Sequence, residues 1–331
     1  MIIRENIPIS KLTTMRLGGP ARYVIDIESR DDIIPAFAFA HEKNLPFFIL
    51  GGGANTIGHD EGFDGVIIRN AITGITHADT VITAMGGTDW DAVVEYSVNQ
   101  GLTGIEALSK IPGLAGAAPV QNIGAYGQDI SDTFISAEVY DTKTGKFQTL
   151  HAPDMHFSYR HSILNTTEKN RYFVISITLA LNHGEMPRPF YNSIEKYIAE
   201  HSITDFSPQS IRAIVSHIRA DKLPDPREKA SSGSFFKNVY LTDSEALEAE
   251  SKGYPVYRGH DGLKINSGWL IEQAGLKGAL LHGMRVNEKA ALVLINESAK
   301  SYANLAAART EIINTVRDKF GFRLEQEPVE L

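Results

Sequence analysis

Apolar and polar residues alternate along the first part of the chain in a pattern typical of strands. Residues 21–27 alternate with period two, which predicts a strand with one buried face. Ser29 and Asp32 have the spacing of a capping box, which predicts a helix from there to residue 41. Residues 45–50 are continuously apolar and run into three glycines. After an irregular start, the chain is therefore predicted to form strand, helix, strand and glycine loop.

Strands dominate the next part of the chain, and helices return towards its end. The predicted strands are residues 66–69, 80–84, 136–140, 145–150, 173–181 and 291–295, with a hairpin turn at 142–145 and a strand-like entry at Ser234. The predicted helices are residues 89–99, a segment from the cap Ser207 to about residue 220, segments after Thr242 and near Trp269, and residues 300–320, which end at Gly321.

These elements predict an α+β protein built from three domains. Leu223-Pro224-Asp225-Pro226 ends a helix, because proline cannot continue one, and we take it as a domain boundary. The predicted domains are residues 1–69, residues 70–222 with the tail 322–331 returning to them, and residues 223–321.

Composition excludes several classes of protein. The chain has 331 residues, of which 43% are hydrophobic, enough for a sizeable core. It has no cysteine, which excludes disulfides and thiolate chemistry. The formal net charge of −8 argues against general nucleic-acid binding, although local Arg and Lys residues can still hold a small anion. With no apolar run of signal or membrane length, we expect a cytoplasmic protein with no membrane partner.

The glycines that follow the strand at residues 45–50 are the first candidate binding segment. Glycine permits close approach of backbone N–H groups to a phosphate. The Walker pattern fails because His59-Asp60 stand where Lys is required, and the dinucleotide pattern fails because Thr56 replaces its third glycine. A diphosphate loop of another type and a simple tight turn remain as alternatives.

Residues 111–127 form a second glycine-rich stretch that is apolar and nearly uncharged. Its small side chains cannot build a core, but its backbone can line a flat cofactor closely, with Gln121 and Asn122 as hydrogen-bonding groups. The alternative is a structural loop packed on a sheet.

The segment Gly233-Ser234-Phe235-Phe236-Lys237-Asn238 combines a hydroxyl, an ammonium and an amide beside two rings. This composition indicates a reaction site. The alternative is a Gly-Ser turn that leads into a strand, with the rings in a core and Lys237 in water.

Seven segments in order resemble one enzyme family, the UDP-N-acetylenolpyruvoylglucosamine reductases, over nearly the whole chain. They are Leu50-Gly51-Gly52-Gly53-Ala54-Asn55, Gly101-Leu102-Thr103-Gly104-Ile105-Glu106, residues 111–127, Tyr159-Arg160-His161-Ser162, Leu223-Pro224-Asp225-Pro226, residues 233–238 and Gly268-Trp269-Leu270-Ile271. The resemblance implies noncovalent FAD in a two-subdomain fold of the vanillyl-alcohol-oxidase (PCMH) type, with a smaller α+β substrate-binding domain. It also implies NADPH as hydride donor and a UDP-sugar enolpyruvyl ether as substrate, in peptidoglycan precursor synthesis.

The resemblance also implies roles for individual residues. Ser234 corresponds to the proton donor, Arg160 to the arginine that faces the substrate carboxylate, and Glu327 to its acidic partner. The cofactor-binding positions are Gly51, Gly52, Gly53, Ala54, Asn55, Thr56, Ile111, Pro112, Gly113, Ala117, Ala118, Gln121, Asn122, Gly124, Ala125 and Tyr126. The substrate-binding positions are Tyr159, Tyr191, Arg219, Lys222, Lys237, Asn238 and Lys264. For Tyr191, core packing is an equal alternative, and for the lysines, a solvated surface charge.

The chain departs from the family at three places. Ala54 replaces the usual serine of the glycine loop, and Asn287 replaces a histidine, for which we predict no role. Pro328 follows Glu327 where the family has valine, so Glu325 and Glu330 stay open as alternatives for the acidic residue.

Two other functions compete with the reductase. An FAD-dependent alcohol oxidase of the same fold would carry a histidine or cysteine for flavin attachment in the first domain, and no such motif is visible. A non-catalytic nucleotide-sugar binding protein would have no need of Arg160 and Ser234. The 11 scattered histidines and the absence of a His-Glu-x-x-His motif predict no metal site. We expect a monomer.

Overall fold

The computed structural model describes residues 1–259 and 262–331. Within these ranges the strands are β1 (Ile2–Pro8), β2 (Pro20–Ile27), β3 (Phe47–Leu50), β4 (Thr56–Ile57), β5 (Phe63–Asn70), β6 (Ile75–Ala78), β7 (Val81–Met85), β8 (Leu102–Thr103), β9 (Gly124–Ala125), β10 (Gln128–Asp129), β11 (Phe134–Asp141), β12 (Lys146–His151), β13 (Tyr172–Ala180), β14 (Asn182–His183), β15 (Ser231–Ser234), β16 (Val239–Leu241), β17 (Tyr257–Gly259), β18 (Gly262–Ile265), β19 (Leu280–Leu281), β20 (Met284–Val286), β21 (Val293–Asn296) and β22 (Val329–Glu330). The helices are α1 (Ile33–Glu42), α2 (Trp90–Asn99), α3 (Ala152–Met155), α4 (Asn192–His201), α5 (Pro208–Lys222), α6 (Asp243–Ser251), α7 (Ser267–Gln273) and α8 (Tyr302–Phe320).

The chain divides into two compact units. The first unit contains residues 1–6, 21–52 and 64–220, and the second contains residues 7–20, 53–63 and 221–331. The tail 322–331 belongs to the second unit, whereas the sequence assigned it to residues 70–222. The division into three domains as a whole stays a prediction. Both units contain helices and sheets, so the predicted α+β class is confirmed.

The first unit is built around two sheets. One has the order β1-β2-β5-β3, in which β3 and β5 run parallel and α1 connects β2 to β3, the strands on either side of β5. The other is the antiparallel sheet β12-β11-β13-β7-β6. Apolar residues of α1, β2 and β5 pack against Tyr140, Phe173 and Ile175 of this second sheet, and Trp90 of α2 is buried in a further core.

Helices α4 and α5 form a smaller apolar cluster in the first unit, together with Phe190 and Tyr126. Arg212 anchors α5, since its guanidinium donates to both carboxylate oxygens of Asp91 on α2, at 2.6 and 3.0 Å. Burial by itself raises the pKa of Asp91, but the hydrogen bonds from Arg212 and Lys110 hold it well below its usual range. The N-terminal half of α5, the helix that also carries Arg219, is thereby tied to α2.

The second unit packs the sheet β15-β21-β20-β19 against α7 and α8. Phe235 and Phe236 are fully buried in this core. A second, smaller sheet has the order β16-β18-β17, and β22 runs parallel to β4. Helix α8 ends at Gly321, whose φ of 81° is the left-handed conformation expected of a C-terminal glycine.

Most predicted elements are confirmed, with boundaries shifted by one to three residues. The Ser29–Asp32 capping box is present, and Asp89, Thr242 and Ser301 cap the helices that follow them. The irregular start is wrong, because residues 2–8 form β1 at the edge of a sheet. Helix α4 was not predicted. No helix in residues 1–259 or 262–331 has the length and apolar character needed to cross a bilayer.

The predicted hairpin at residues 142–145 is confirmed and rests on Asp141, a carboxylate that is only 1% exposed. Asp141 accepts from the Lys143 N–H at 3.0 Å and from the Thr144 hydroxyl at 2.9 Å. Arg171 donates to both of its oxygens, at 2.9 and 2.8 Å. The Arg171 guanidinium holds the pKa of the Asp141 carboxyl well below its usual range.

We expect Asp141→Asn to lower the free energy of unfolding by about 2–3 kcal/mol at neutral pH, because charge-assisted hydrogen bonds are lost. A lowered folded-state pKa stabilises the protein above the unfolded pKa, about 4, and this contribution disappears as the pH falls through the folded pKa. Urea unfolding at several pH values should therefore show the two proteins converging in acid. Asp64→Asn, at an exposed pair with Arg22, is the control. A difference that is independent of pH would contradict the ion-pair explanation.

Candidate active site

The two predicted cofactor loops meet within the first unit. A Cβ on Gly51 would lie 2.7 Å from the Cβ of Ala117, and a Cβ on Gly52 would lie 3.0 Å from the Cα of Gly113. Real Cβ atoms do not approach as closely as the Cβ at position 51 would, and a Cβ at position 52 would make its neighbour shift by a few tenths of an ångström, so glycine at both positions suits this packing. The structure thus brings together one end of the first glycine loop and the start of residues 111–127.

Residues 53–56 continue the glycine loop in the second unit. A Cβ on Gly53 would lie 2.0 Å from the carbonyl oxygen of Leu12, and its φ is 67°. In the part of the chain that the structure describes, the N–H groups of Gly52, Gly53 and Ala54 donate to no backbone carbonyl. Unpaired N–H donors at a glycine turn suit a phosphate or another anion. Thr56 opens β4, and Asn55 accepts from the N–H of Val329 at 2.9 Å.

Several side chains of residues 111–127 have structural roles. Asn122 is 4% exposed, accepts from the Ser131 N–H at 3.1 Å and donates to the Ser158 carbonyl at 3.2 Å. Ala118 is buried in the core, and Ile111 and Ala125 pack against it. Pro112 is exposed, and Gln121 is half-buried.

Arg160 is held in place by its neighbours in the first unit. Its guanidinium carbon lies 4.9 Å from the centre of the Tyr159 ring, and its Nη2 donates to the Gly124 carbonyl at 3.0 Å. A Cβ on Gly124 would lie 1.5 Å from Asp129 Oδ1 and 3.2 Å from Arg160 Nη1. The Asp129 carboxylate therefore occupies the space that a side chain at position 124 would need, next to the guanidinium. Gly124 makes room for this arrangement.

The structure also brings Tyr126, Tyr191 and Arg219 together. The rings of Tyr126 and Tyr191 meet edge to face with centres 5.8 Å apart. Tyr191 is 52% exposed at the start of α4, so the core-packing alternative is wrong. Burial lowers the pKa of the Arg219 guanidinium, against the attraction of Tyr126, and raises the pKa of the Tyr126 hydroxyl. The Nε of Arg219 is buried and has no hydrogen-bond partner. Such a cation suits an anionic ligand.

Ser234 lies half-buried at the end of β15, where its backbone pairs with Val293. The next two residues, Phe235 and Phe236, belong to the core. The alternative that placed Lys237 in water is wrong, since its side chain is 16% exposed and its Nζ lies 2.8 Å from Glu325 Oε1. The Ser234 hydroxyl is therefore carried by a segment that the core holds rigidly.

The C-terminal tail pairs with this same segment in antiparallel register. Phe236 lies opposite Gln326, the Glu327 N–H donates to the Phe235 carbonyl at 2.9 Å, and the Lys237 N–H donates to the Glu325 carbonyl at 2.9 Å. Glu327 is thereby set beside the residue that follows Ser234.

The other two candidate glutamates are engaged in ion pairs. Glu325 is paired with Lys237, and Glu330 is paired with Arg309 and with His59, the latter at 3.2 Å. In backbone pairing, Glu327 lies opposite Phe235, the residue that follows Ser234.

Three further predicted substrate residues lie in the second unit. The Asn238 Oδ1 accepts from the Ser267 N–H at 3.2 Å at the start of α7. Lys264 lies on β18 with its Nζ 5.8 Å from the ring centre of Tyr240. Lys222 is exposed at the end of α5, and its carbonyl accepts from Asn287 Nδ2 at 3.0 Å. Asn287 therefore has a structural role that the sequence did not suggest.

Sequence reasoning missed Asp129 next to Arg160, and it missed the contacts of Gln326 and Arg309. The separation of Arg309 from the tail by only 17 residues could have suggested a contact, but a helix and a turn lie between them. The described residues contain no group of three or more His, Asp or Glu side chains arranged to hold a metal. Within the first unit, the close approach of the two glycine loops, with Arg160 at the Gly124 carbonyl, fits a flat cofactor that carries a diphosphate.

Family models match two parts of the chain. Residues 21–151 match an FAD binding domain, and residues 225–331 match the C-terminal domain of UDP-N-acetylenolpyruvoylglucosamine reductase. The first match covers both glycine loops, and the second covers Ser234 and Glu327.

Two curated relatives and one solved structure are similar over nearly the full chain. UDP-N-acetylenolpyruvoylglucosamine reductase of Ralstonia nicotianae is 37% identical over 99% of both chains. The enzyme of the same name from Vibrio parahaemolyticus is 35% identical over 99% of this chain and 94% of its own. The crystal structure of the reductase from Thermus caldophilus superposes with a TM-score of 0.70 over 99% of both chains, at 23% identity. The predicted FAD-binding fold is thereby confirmed.

Proposed function

Since the chain belongs to the UDP-N-acetylenolpyruvoylglucosamine reductase family, we propose that it reduces the enolpyruvyl ether of UDP-N-acetylglucosamine to UDP-N-acetylmuramate, with FAD as cofactor and NADPH as electron donor. The observation that carries the proposal is the pairing of residues 325–327 with residues 235–237, which sets a glutamate beside the segment that carries Ser234. In the cell this reaction belongs to peptidoglycan precursor synthesis, and we propose a cytoplasmic monomer.

FAD, bound and first reduced by NADPH, would supply the hydride that adds to the methylene carbon of the enolpyruvyl group. Negative charge then builds up on the neighbouring carbon and its carboxylate. Arg160 is suited to pair with this carboxylate, because a guanidinium binds a carboxylate through two parallel hydrogen bonds. Its position on the Tyr159 ring and at the Gly124 carbonyl orients it before substrate arrives. Asp129 serves as a neighbour that keeps the guanidinium in place.

Ser234 is assigned the proton that completes the reduction. A serine hydroxyl is a weak acid, but an enolate carbon is basic enough to accept its proton. The new C–H bond at this carbon and the hydride at its neighbour together replace the C=C bond. Glu327 assists, either as a protonated acid that stabilises the enolate or as a group that orients the Ser234 hydroxyl.

The remaining substrate residues are assigned to the UDP part. The Nε of the partly buried Arg219 has no hydrogen-bond partner and can donate to a diphosphate oxygen. Tyr191 is exposed beside it. Lys222 and Lys264 add positive charge in the second unit, and Asn238 an amide. Lys237 is paired with Glu325. We therefore assign Lys237 to the diphosphate on the condition that the diphosphate replaces Glu325 as its ion-pair partner.

An anaerobic spectroscopic titration tests the proposal. The purified protein, loaded with FAD, is expected to absorb at about 450 nm, to bleach with NADPH and to regain its colour when the enolpyruvyl substrate is added. Recovery of colour with oxygen but not with this substrate would instead support an alcohol oxidase. A protein that binds the UDP-sugar but takes up no FAD would support a non-catalytic binding protein.

A further inference from the structure

Arg309 connects helix α8 to both sides of Glu327. Its Nη1 donates to Gln326 Oε1 at 2.6 Å and is ion-paired with Glu330 Oε1. These two partners flank Glu327 in the tail. The side chain of Arg309 is 22% exposed, so water competes for these hydrogen bonds only in part.

The tail side chains that Arg309 holds are also bonded to each other. Gln326 Nε2 donates to the Pro328 carbonyl at 2.7 Å and lies 3.3 Å from Glu330 Oε1. The bend at Pro328 is thereby closed by side chains, and Arg309 provides the cation at its centre.

The first turns of α8, which carry Arg309, are themselves fixed by contacts with residues 59 and 60. Asp60 caps α8, since its carboxylate oxygens accept from the N–H groups of Tyr302 and Ala303 at 2.6 and 3.2 Å. The rings of His59 and Tyr302 are stacked with centres 3.9 Å apart, and Arg309 Nη2 donates to the Tyr302 hydroxyl at 3.3 Å. The position of the guanidinium is therefore defined by the fold rather than by the tail.

Backbone pairing holds the tail along two neighbouring segments. Besides the bonds to Phe235 and Lys237, β22 pairs with β4 over two residues, the Leu331 N–H donates to the Ile57 carbonyl at 2.8 Å, and the Leu331 carbonyl accepts from the His59 N–H at 2.9 Å. So short a terminal segment opens readily unless side chains fix it. Val329 is 44% exposed and adds little apolar burial.

We infer that Arg309 is a positioning residue for the proposed reduction: it clamps the tail through Gln326 and Glu330 and so holds Glu327 beside Ser234. The inference rests on the proposed function of Glu327. Arg309 itself touches no reacting atom in this scheme. It affects the reaction by keeping the tail, and with it Glu327, in position.

The test is Arg309→Met, which keeps much of the stem and removes the hydrogen bonds. In hydrogen exchange, the amides of Glu327, Val329, Glu330 and Leu331 are expected to exchange at least tenfold faster, because the tail opens more often. With FAD bound, reoxidation by the enolpyruvyl substrate is expected to slow about 10- to 100-fold, while reduction by NADPH stays within about twofold. Arg309→Lys, which keeps one charged donor, is expected to recover part of the rate.

Arg317→Met is the matched control, since Arg317 lies on the same helix and bonds the neighbouring Asp318. A double-mutant cycle separates positioning from general stability: Arg309→Met is expected to add no further slowing in a Glu327→Gln background. Effects that multiply, equal slowing of both half-reactions, or unchanged amide exchange would each overturn the inference. Should the parent protein fail to reduce the substrate at all, the proposed function falls, and the exchange measurement still decides whether Arg309 clamps the tail.

Discussion

Ser234→Ala is expected to slow the reoxidation of reduced FAD by the enolpyruvyl substrate by about 10²- to 10⁴-fold, the range over which a positioned proton donor acts. Reduction of the flavin by NADPH is expected to stay within about twofold of the parent rate, because no proton from Ser234 enters that step. The substitution keeps the backbone pairing of residue 234 with Val293 and the burial of Phe235. Stopped-flow absorbance of the two half-reactions, measured separately without oxygen, provides the comparison.

Ser232→Ala is the matched control for this result. Ser232 lies two residues earlier on the same strand, is 6% exposed and has an Oγ without a hydrogen-bond partner. Removing a buried hydroxyl that makes no hydrogen bond costs little stability. We expect both half-reactions of this variant to stay close to those of the parent. If Ser234→Ala slowed the two half-reactions equally, the serine would not be the proton donor.

The second large effect is expected for Glu327→Gln, which should slow reoxidation by the substrate by about 10²- to 10³-fold and leave reduction by NADPH nearly unchanged. The reason is geometric, since the Glu327 N–H bonds the carbonyl of Phe235, next to Ser234. The glutamine is similar in size and keeps the backbone pairing, so a loss of rate reports the carboxyl group itself.

Glu325→Gln is the complementary test of the assignment of Glu327 as the acidic residue. Glu325 is largely exposed and is engaged with Lys237, so its loss should change the substrate-dependent rate less than tenfold. If Glu325→Gln slowed reoxidation more than Glu327→Gln does, the acidic role would belong to Glu325. The backbone register of the tail would then not identify the acidic residue. Glu330→Gln should fall between the two, because it weakens one of the two tail contacts of Arg309.

Local sequence signals predicted helices and strands well where capping residues mark the ends of these elements. Ser29 and Asp32 form their capping box, and the last long helix ends at Gly321. Helix α4 was missed for two reasons. Tyr191 precedes it without forming a side-chain cap, and its apolar face is buried only by packing against α5 and residues 186–190. The strand β1 was missed because its side chains are mostly exposed, and only pairing with β2 defines it.

The candidate site was predictable as a list of residues but not as an arrangement. Motif order identified Arg160, Ser234 and three possible glutamates, because each motif is local in the chain. Their surroundings were not predictable, since Asp129 lies 31 residues before Arg160, and Gln326 lies 90 residues after Phe236. Contacts over such distances depend on how sheets pair and not on neighbouring residues.

By itself, the sequence determined the α+β class, most strands and helices, the two glycine loops and the family. These depend on periodicity, capping and backbone freedom, which act over a few residues. Only the tertiary structure decided that the Glu327 backbone pairs with Phe235, that Lys237 is paired with Glu325, and that Tyr191 meets Tyr126 at the buried charge of Arg219. The physical reason is that the hydrogen bonds and ion pairs that orient these side chains form only after distant segments have packed.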